Sequence, residues 1–137
     1  MKVFVDSSAW IALEVANDIN HKASIRNIQK LKRERSLFFT NEYVLAETYT
    51  RLIYDINLAA AKKFHDNIRF ALKEEGLIIL EIDSQIREAV WGELNRYSDH
   101  KLSFTDGTMV VNFKYYKLDE IFTFDKHFKE INLPTNL

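Results

Sequence analysis

The 137-residue chain has no cysteine, which excludes disulfides, thiolate metal sites and cysteine nucleophiles, and fits a reducing compartment. One proline and three glycines are too few for a loop-rich or disordered chain. An excess of charge of one sign is missing too. Nineteen basic and 20 acidic side chains leave a net charge of −1, so any nucleic acid would be gripped locally, by a basic patch or bound cations. No apolar run approaches the roughly 18 residues of a membrane span. Asp6 interrupts the N-terminal apolar run after three residues, against a signal peptide. A soluble, cytoplasmic protein without membrane association is expected. There is no Gly-rich phosphate loop and no G-x-S-x-G nucleophile elbow. The four histidines, His21, His65, His100 and His127, show no metal-ligand spacing and read as ordinary surface or helix-face residues.

What is present is apolar and aromatic, including ten Phe and six Tyr, enough for a single domain over residues 1–137 that buries roughly two-thirds of its unfolded surface. Val3–Val5 reads as a strand stopped by Asp6-Ser7-Ser8, with Asp6 or Ser7 capping a short helix through Trp10, Ile11, Leu13 and Val15. A helix is expected over Asn20–Arg33, and its basic end, Lys30, Lys32 and Arg33 with Arg35, reads as a solvated C-terminus. Strand Ser36–Thr40, helix Glu42–Tyr54, helix Leu58–Glu75 with Gly76 as C-cap, and strand Leu77–Ile82 follow. Then come helix Gln85–Tyr97, a polar loop Ser98–Lys101, helix Asp106–Lys117 and strand Ile121–Phe124. The tail Asn132–Leu137 carries no periodic signal. Short strands without polar alternation, separated by helices, predict an open parallel α/β sheet in a three-layer α/β/α sandwich.

In such sheets the functional crevice lies beyond the carboxyl ends of the strands. Asp6 and Asp125 each follow a strand directly. Glu47 lies about two turns into the helix after the second strand, and Asp106 begins the helix before the last one. Each has an ordinary alternative. Asp6 could be only an N-cap, Glu47 a surface partner of Arg51 at i+4, and Asp125 a cap for Lys126-His127-Phe128. Asp106 could also be a cap, but it shares a helix face with Met109, Val110 and Phe113. A carboxylate on an apolar stripe calls for a partner or a cation.

Four segments carry a resemblance. They are Val3-Phe4-Val5-Asp6-Ser7-Ser8, Thr40-Asn41-Glu42-Tyr43-Val44-Leu45-Ala46-Glu47, Leu102-Ser103-Phe104-Thr105-Asp106, and Phe122-Thr123-Phe124-Asp125-Lys126-His127-Phe128. In this order and spacing the chain resembles the PIN domain family, and within it the VapC-type toxin ribonucleases of prokaryotic toxin–antitoxin pairs. The resemblance implies a parallel α/β/α fold and cleavage of single-stranded RNA. It also implies Mg²⁺ or Mn²⁺ held at Asp6, Glu47, Asp106 and Asp125, with Ser7 and Thr123 near the metal. Oxygen ligands without cysteine suit those hard cations. Asp6 and Asp106 are expected as direct ligands, with Glu47 and Asp125 completing the shell or positioning water. The resemblance further implies a homodimer and a cognate antitoxin protein. Gly107 stands where the family more often has Ala, which reads as a slightly weaker helix start. The alternative within the family is a stand-alone or non-catalytic module that binds RNA or a protein partner. A receiver domain or haloacid-type phosphatase would want a second acid beside Asp6, where Ser7 and Ser8 stand.

Overall fold

The computed structural model describes residues 1–74 and 76–137. Four parallel strands, β1 (Lys2–Val5), β2 (Leu37–Asn41), β3 (Leu77–Leu80) and β4 (Glu120–Phe122), form one sheet in the order β3-β2-β1-β4. Val3 and Phe4 pair with Phe38 and Phe39 on one side of β1, and with Glu120 and Ile121 on the other. Alternate strand residues point to opposite faces. Val3, Val5, Phe38 and Leu77 accordingly meet one set of helices, and Phe4, Phe39, Leu80 and Ile121 the other.

The first face is covered by α1 (Ser7–Glu14), α2 (His21–Arg33), α3 (Glu42–Asp55) and α4 (Leu58–Lys73). The second is covered by α6 (Phe104–Tyr115) and the short α7 (His127–Glu130), with α5 (Ser84–Arg96) packed against α6. The sandwich is the expected α/β/α arrangement. No helix among the described residues is long and apolar enough to cross a membrane.

Differences from the expected boundaries have local causes. Helix α6 starts at Phe104 because Ser103 caps it: the Ser103 hydroxyl accepts from the Asp106 N–H, and the Asp106 carboxylate accepts from the Ser103 N–H. Strand β4 stops at Phe122 because the Thr123 N–H donates to Asn136 Oδ1 at 2.7 Å. The tail is tied to the sheet, with the Ile121 N–H donating to the Pro134 carbonyl and Ile121 bridging Thr135. Strand β3 ends at Leu80, two residues short of the expected Ile82. The Gly76 N–H returns to the Ala71 carbonyl without a positive φ, so Gly76 closes the end of α4 but not as a left-handed cap. Glu75, the expected last residue of that helix, lies outside the described residues. The loop expected at Ser98–Lys101 holds a 3-10 turn, Ser98–His100. The basic end of α2 is exposed, as expected of a solvated terminus.

Gly107 has a stronger reason than helix propensity. A Cβ there would sit 2.7 Å from a Val90 methyl and 3.2 Å from one of Leu94, so α5 and α6 approach too closely for a side chain. Gly107 thus costs some helix propensity, as expected, but the close approach of α5 requires it.

Candidate active site

Strand β1 has β2 on one side and β4 on the other, so the chain order reverses at β1. That reversal is the topological switch point at which α/β sheets open a crevice. Asp6 leaves β1 at this point with a side chain only 4% exposed. Its Oδ1 accepts from the Ser7 N–H at 2.7 Å, so it is the N-cap of α1. Its Oδ2 accepts from the Ser8 and Thr123 hydroxyls at 2.9 and 2.8 Å. The cap reading of Asp6 is therefore correct without exhausting the residue. Thr123 also accepts from the Asp125 N–H, and Ser8 from the Phe124 N–H. Two hydroxyls thus tie the end of β1 to the segment after β4.

Glu47 reaches the same place from α3. Its Oε2 accepts from the Ser7 hydroxyl at 3.1 Å, linking it to the Asp6 turn. Asp106, on the first turn of α6, keeps its side chain 14% exposed, while Met109 and Val110 on the same face are fully buried. Asp125 Oδ1 accepts from the His127 N–H at 2.9 Å.

The acids sense one another. Burial pushes the Asp6 carboxyl above its ordinary range, and the Asp125 charge adds to the effect, while bonds from Thr123, Ser8 and Ser7 oppose it. Burial likewise raises Glu47, with Asp6 and Asp106 contributing and the Ser7 hydroxyl opposing. Asp106 is raised by burial, and also by Asp6 and Asp125, against the bond from Ser103. Four carboxylates from four segments share one electrostatic environment. Glu47 faces Asp6 and Asp106 rather than the far side of the sheet.

They do not form a closed cage. Among the described residues, no group of three or more His, Cys, Asp or Glu side chains is placed to hold a metal ion together. Also among the described residues, Asp106 Oδ1, Glu47 Oε1 and Asp125 Oδ2 accept no protein hydrogen bond within the structure. Free hard oxygens in a repulsive, partly desolvated cluster are the donors a divalent cation takes. Mg²⁺ keeps several waters and needs only one or two carboxylates, so an open cluster suits it.

Three contributors escape the sequence reading. His127 sits between two acids, its Nδ1 3.3 Å from Asp125 Oδ1 and 3.9 Å from Asp106 Oδ2. It is not the ordinary surface histidine expected. Ser8 carries a bond to Asp6, although only the motif around it is visible in the sequence. Asn41 looks like a polar stop after β2. In the structure it is fully buried, and its Nδ2 donates to Thr108 Oγ1 at 3.1 Å and Asn112 Oδ1 at 2.8 Å. Its Oδ1 accepts from the Val44 N–H at 2.9 Å, capping α3. The helix of Glu47 is thereby fastened to the helix of Asp106. The sequence signal for this is the Thr40-Asn41-Glu42 cap pattern, but its partners lie 67 and 71 residues away.

A family profile for the PIN domain matches residues 3–133. No relative was found among curated protein sequences. The chain is similar in fold to VapC20 of Mycobacterium tuberculosis, a Sarcin-Ricin loop cleaving toxin, with a TM-score of 0.82 and 24% identity over 96% of each chain. It is also similar to VapBC2 from Rickettsia felis, solved bound to a DNA fragment from their promoter. There the TM-score is 0.70 and the identity 16%, over 99% of this chain and 98% of that one. With the profile spanning nearly the whole sequence and the acids gathered at the switch point of the sheet, the chain belongs to the PIN domain family.

Proposed function

We propose that this single-domain protein is a divalent-metal-dependent endoribonuclease acting on single-stranded RNA, and that it is the toxin of a toxin–antitoxin pair. The observation that carries the nuclease reading is the meeting of Asp6, Glu47, Asp106 and Asp125 at one crevice, linked by the Ser7 and Thr123 hydroxyls. There burial first and mutual repulsion second raise Asp6, Glu47 and Asp106. Such a cluster raises carboxyl pKa values and destabilises the fold unless a cation relieves it. Asp106 would hold the cation through its free oxygen, and Asp6 would join by giving up one of its hydroxyl donors. Glu47 and Asp125 would complete the shell or orient the attacking water. A bound Mg²⁺ or Mn²⁺ supplies a water of lowered pKa and offsets charge on the phosphodiester. Ser7, Ser8 and Thr123 fix the carboxylate orientations. The toxin assignment is supported by the fold likeness to VapC20 and VapBC2, and it carries with it a homodimer, a cognate antitoxin and a cytoplasmic setting.

Purified protein should cleave single-stranded RNA with Mg²⁺ or Mn²⁺ and lose that activity in excess EDTA. Asp6→Asn and Asp106→Asn should each reduce cleavage by at least about a hundredfold while keeping a native circular dichroism spectrum. Undiminished activity in either variant, or in EDTA, overturns the reading. A short neighbouring gene encoding a DNA-binding protein that co-purifies with the chain and suppresses cleavage would establish the toxin role.

A further inference from the structure

Beside the acids runs a row of aromatic rings whose middle member, Phe104, packs against the cluster of Ile86, Val90 and Val111, while of its outer members Tyr43 is half-buried and Trp91 exposed. Trp91 on α5 is 59% exposed, although it is one of only two tryptophans. Its ring centroid lies 5.3 Å from that of Phe104, which in turn lies 5.7 Å from that of Tyr43. The planes are tilted by 58° and 50°, so the rings do not consume one another's faces by parallel stacking. The row ends in a depression of about 360 Å³ lined by Tyr43, Ala46, Glu47, Thr50, Arg51 and Thr105.

Tyr43, Glu47 and Arg51 are spaced four residues apart on α3 and therefore share one face. Phe104 and Thr105 immediately precede Asp106 on the capped first turn of α6. Two of the three rings, Tyr43 and Phe104, are thus carried on the same helix segments as two of the acids, while Trp91 comes from α5. Arg51 is exposed and, among the described residues, forms no ion pair. A near-neutral chain must grip a polyanion locally, and a ring row ending at an unpaired guanidinium beside acids is a local grip. Aromatic faces take bases of any sequence, and arginine takes the phosphate between them.

We propose that Trp91, Phe104 and Tyr43 form a base-stacking track that leads single-stranded RNA into the depression beside Glu47, where Arg51 binds a backbone phosphate. The proposal rests on the ribonuclease reading for its substrate, but it concerns binding and can fail separately. Duplex RNA, with its bases already stacked, does not fit such a track.

The test uses a labelled single-stranded RNA 12-mer with the full-length protein, first in EDTA for binding and then with Mn²⁺ for turnover. Binding should quench tryptophan fluorescence. Trp91→Phe should bind normally with most of the quench lost, and Trp91→Ala and Tyr43→Ala should each weaken binding and raise KM by about tenfold with kcat within about twofold. Arg51→Gln should weaken binding and flatten its salt dependence. The same duplex sequence should bind much more weakly. Quenched binding without cleavage would leave the track standing and remove the nuclease reading. Cleavage by Trp91→Ala and Tyr43→Ala with wild-type KM would overturn the track alone. If Trp91→Ala instead turned a dimer into a monomer by light scattering with KM unchanged, the row would be a contact between two copies, and the proposal would fall.

Discussion

At the scale of single residues, side chains in the site are held by more than one job. Asp6 is a helix cap and a member of the acid cluster, and Asp106 is half of a capping box and another member. This is why each can be found in the sequence and also why each has an innocent reading. Caps are local patterns; clusters are not. Nothing within a few residues of His127 announces that it will lie between Asp106 and Asp125, because the first of those is 21 positions away in the chain. Gly107 is similarly opaque, since the crowding comes from Val90 and Leu94 on a different helix. Gly107→Ala should improve helix propensity yet destabilise the protein by about 1–3 kcal/mol, because a buried, β-branched neighbour has to move. Chemical denaturation checks this: an unchanged or higher midpoint would mean that α5 yields freely.

At the scale of elements, strand and helix order is legible because apolar runs of two to four residues alternate with longer amphipathic stretches. The ends are less so, since β4 and α6 are set by Asn136 and Ser103, whose side chains decide where a ladder stops or a helix starts. The tail has no periodicity because it is held by backbone bonds to Ile121 rather than by a buried face. Asn41 is the element-scale device with the most consequence for the site. Removing its side chain in Asn41→Ala deletes three hydrogen bonds and leaves the buried Asn112 Oδ1 and the Val44 N–H without their Asn41 partner, while the Thr108 hydroxyl keeps its bond to the Thr105 carbonyl. The expected loss is about 2–4 kcal/mol, together with a lower kcat for RNA cleavage as α3 and α6 lose their mutual register. A variant that loses stability but retains full kcat would show that Asn41 serves only the fold.

At the scale of the whole molecule, the acid cluster makes stability depend on pH in a definite direction. Asp6, Glu47 and Asp106 hold their protons more tightly in the folded state than in the unfolded chain. Between the ordinary carboxylate range, about pH 4, and their raised folded values, the native state therefore binds more protons. Their contribution to stability falls as pH rises through that window. Partly buried Glu120, on β4, is raised by burial as well and acts with the same sign away from the crevice. In EDTA, Tm should decline as pH rises above the ordinary carboxylate range, and Mg²⁺ or Mn²⁺ at about pH 7.5 should restore it. Asp106→Asn should blunt both effects. An equal metal-induced rise in Asp106→Asn would place the cation elsewhere.

The pairing of β1 with β4 joins residues 3–5 to residues 120–122, and this dictates when the crevice can exist during synthesis. A chain emerging from the ribosome presents Asp6 first, then Glu47, then Asp106, while β1 still lacks one neighbour and Thr123 has not reached Asp6. Contacts of such long sequence separation form late. Until the segment through Asp125 is free of the exit tunnel, the nascent polypeptide has the acids without the crevice. Completion of the sheet is therefore also the step at which any activity of the crevice begins, and a nascent chain stalled before β4 would be inert.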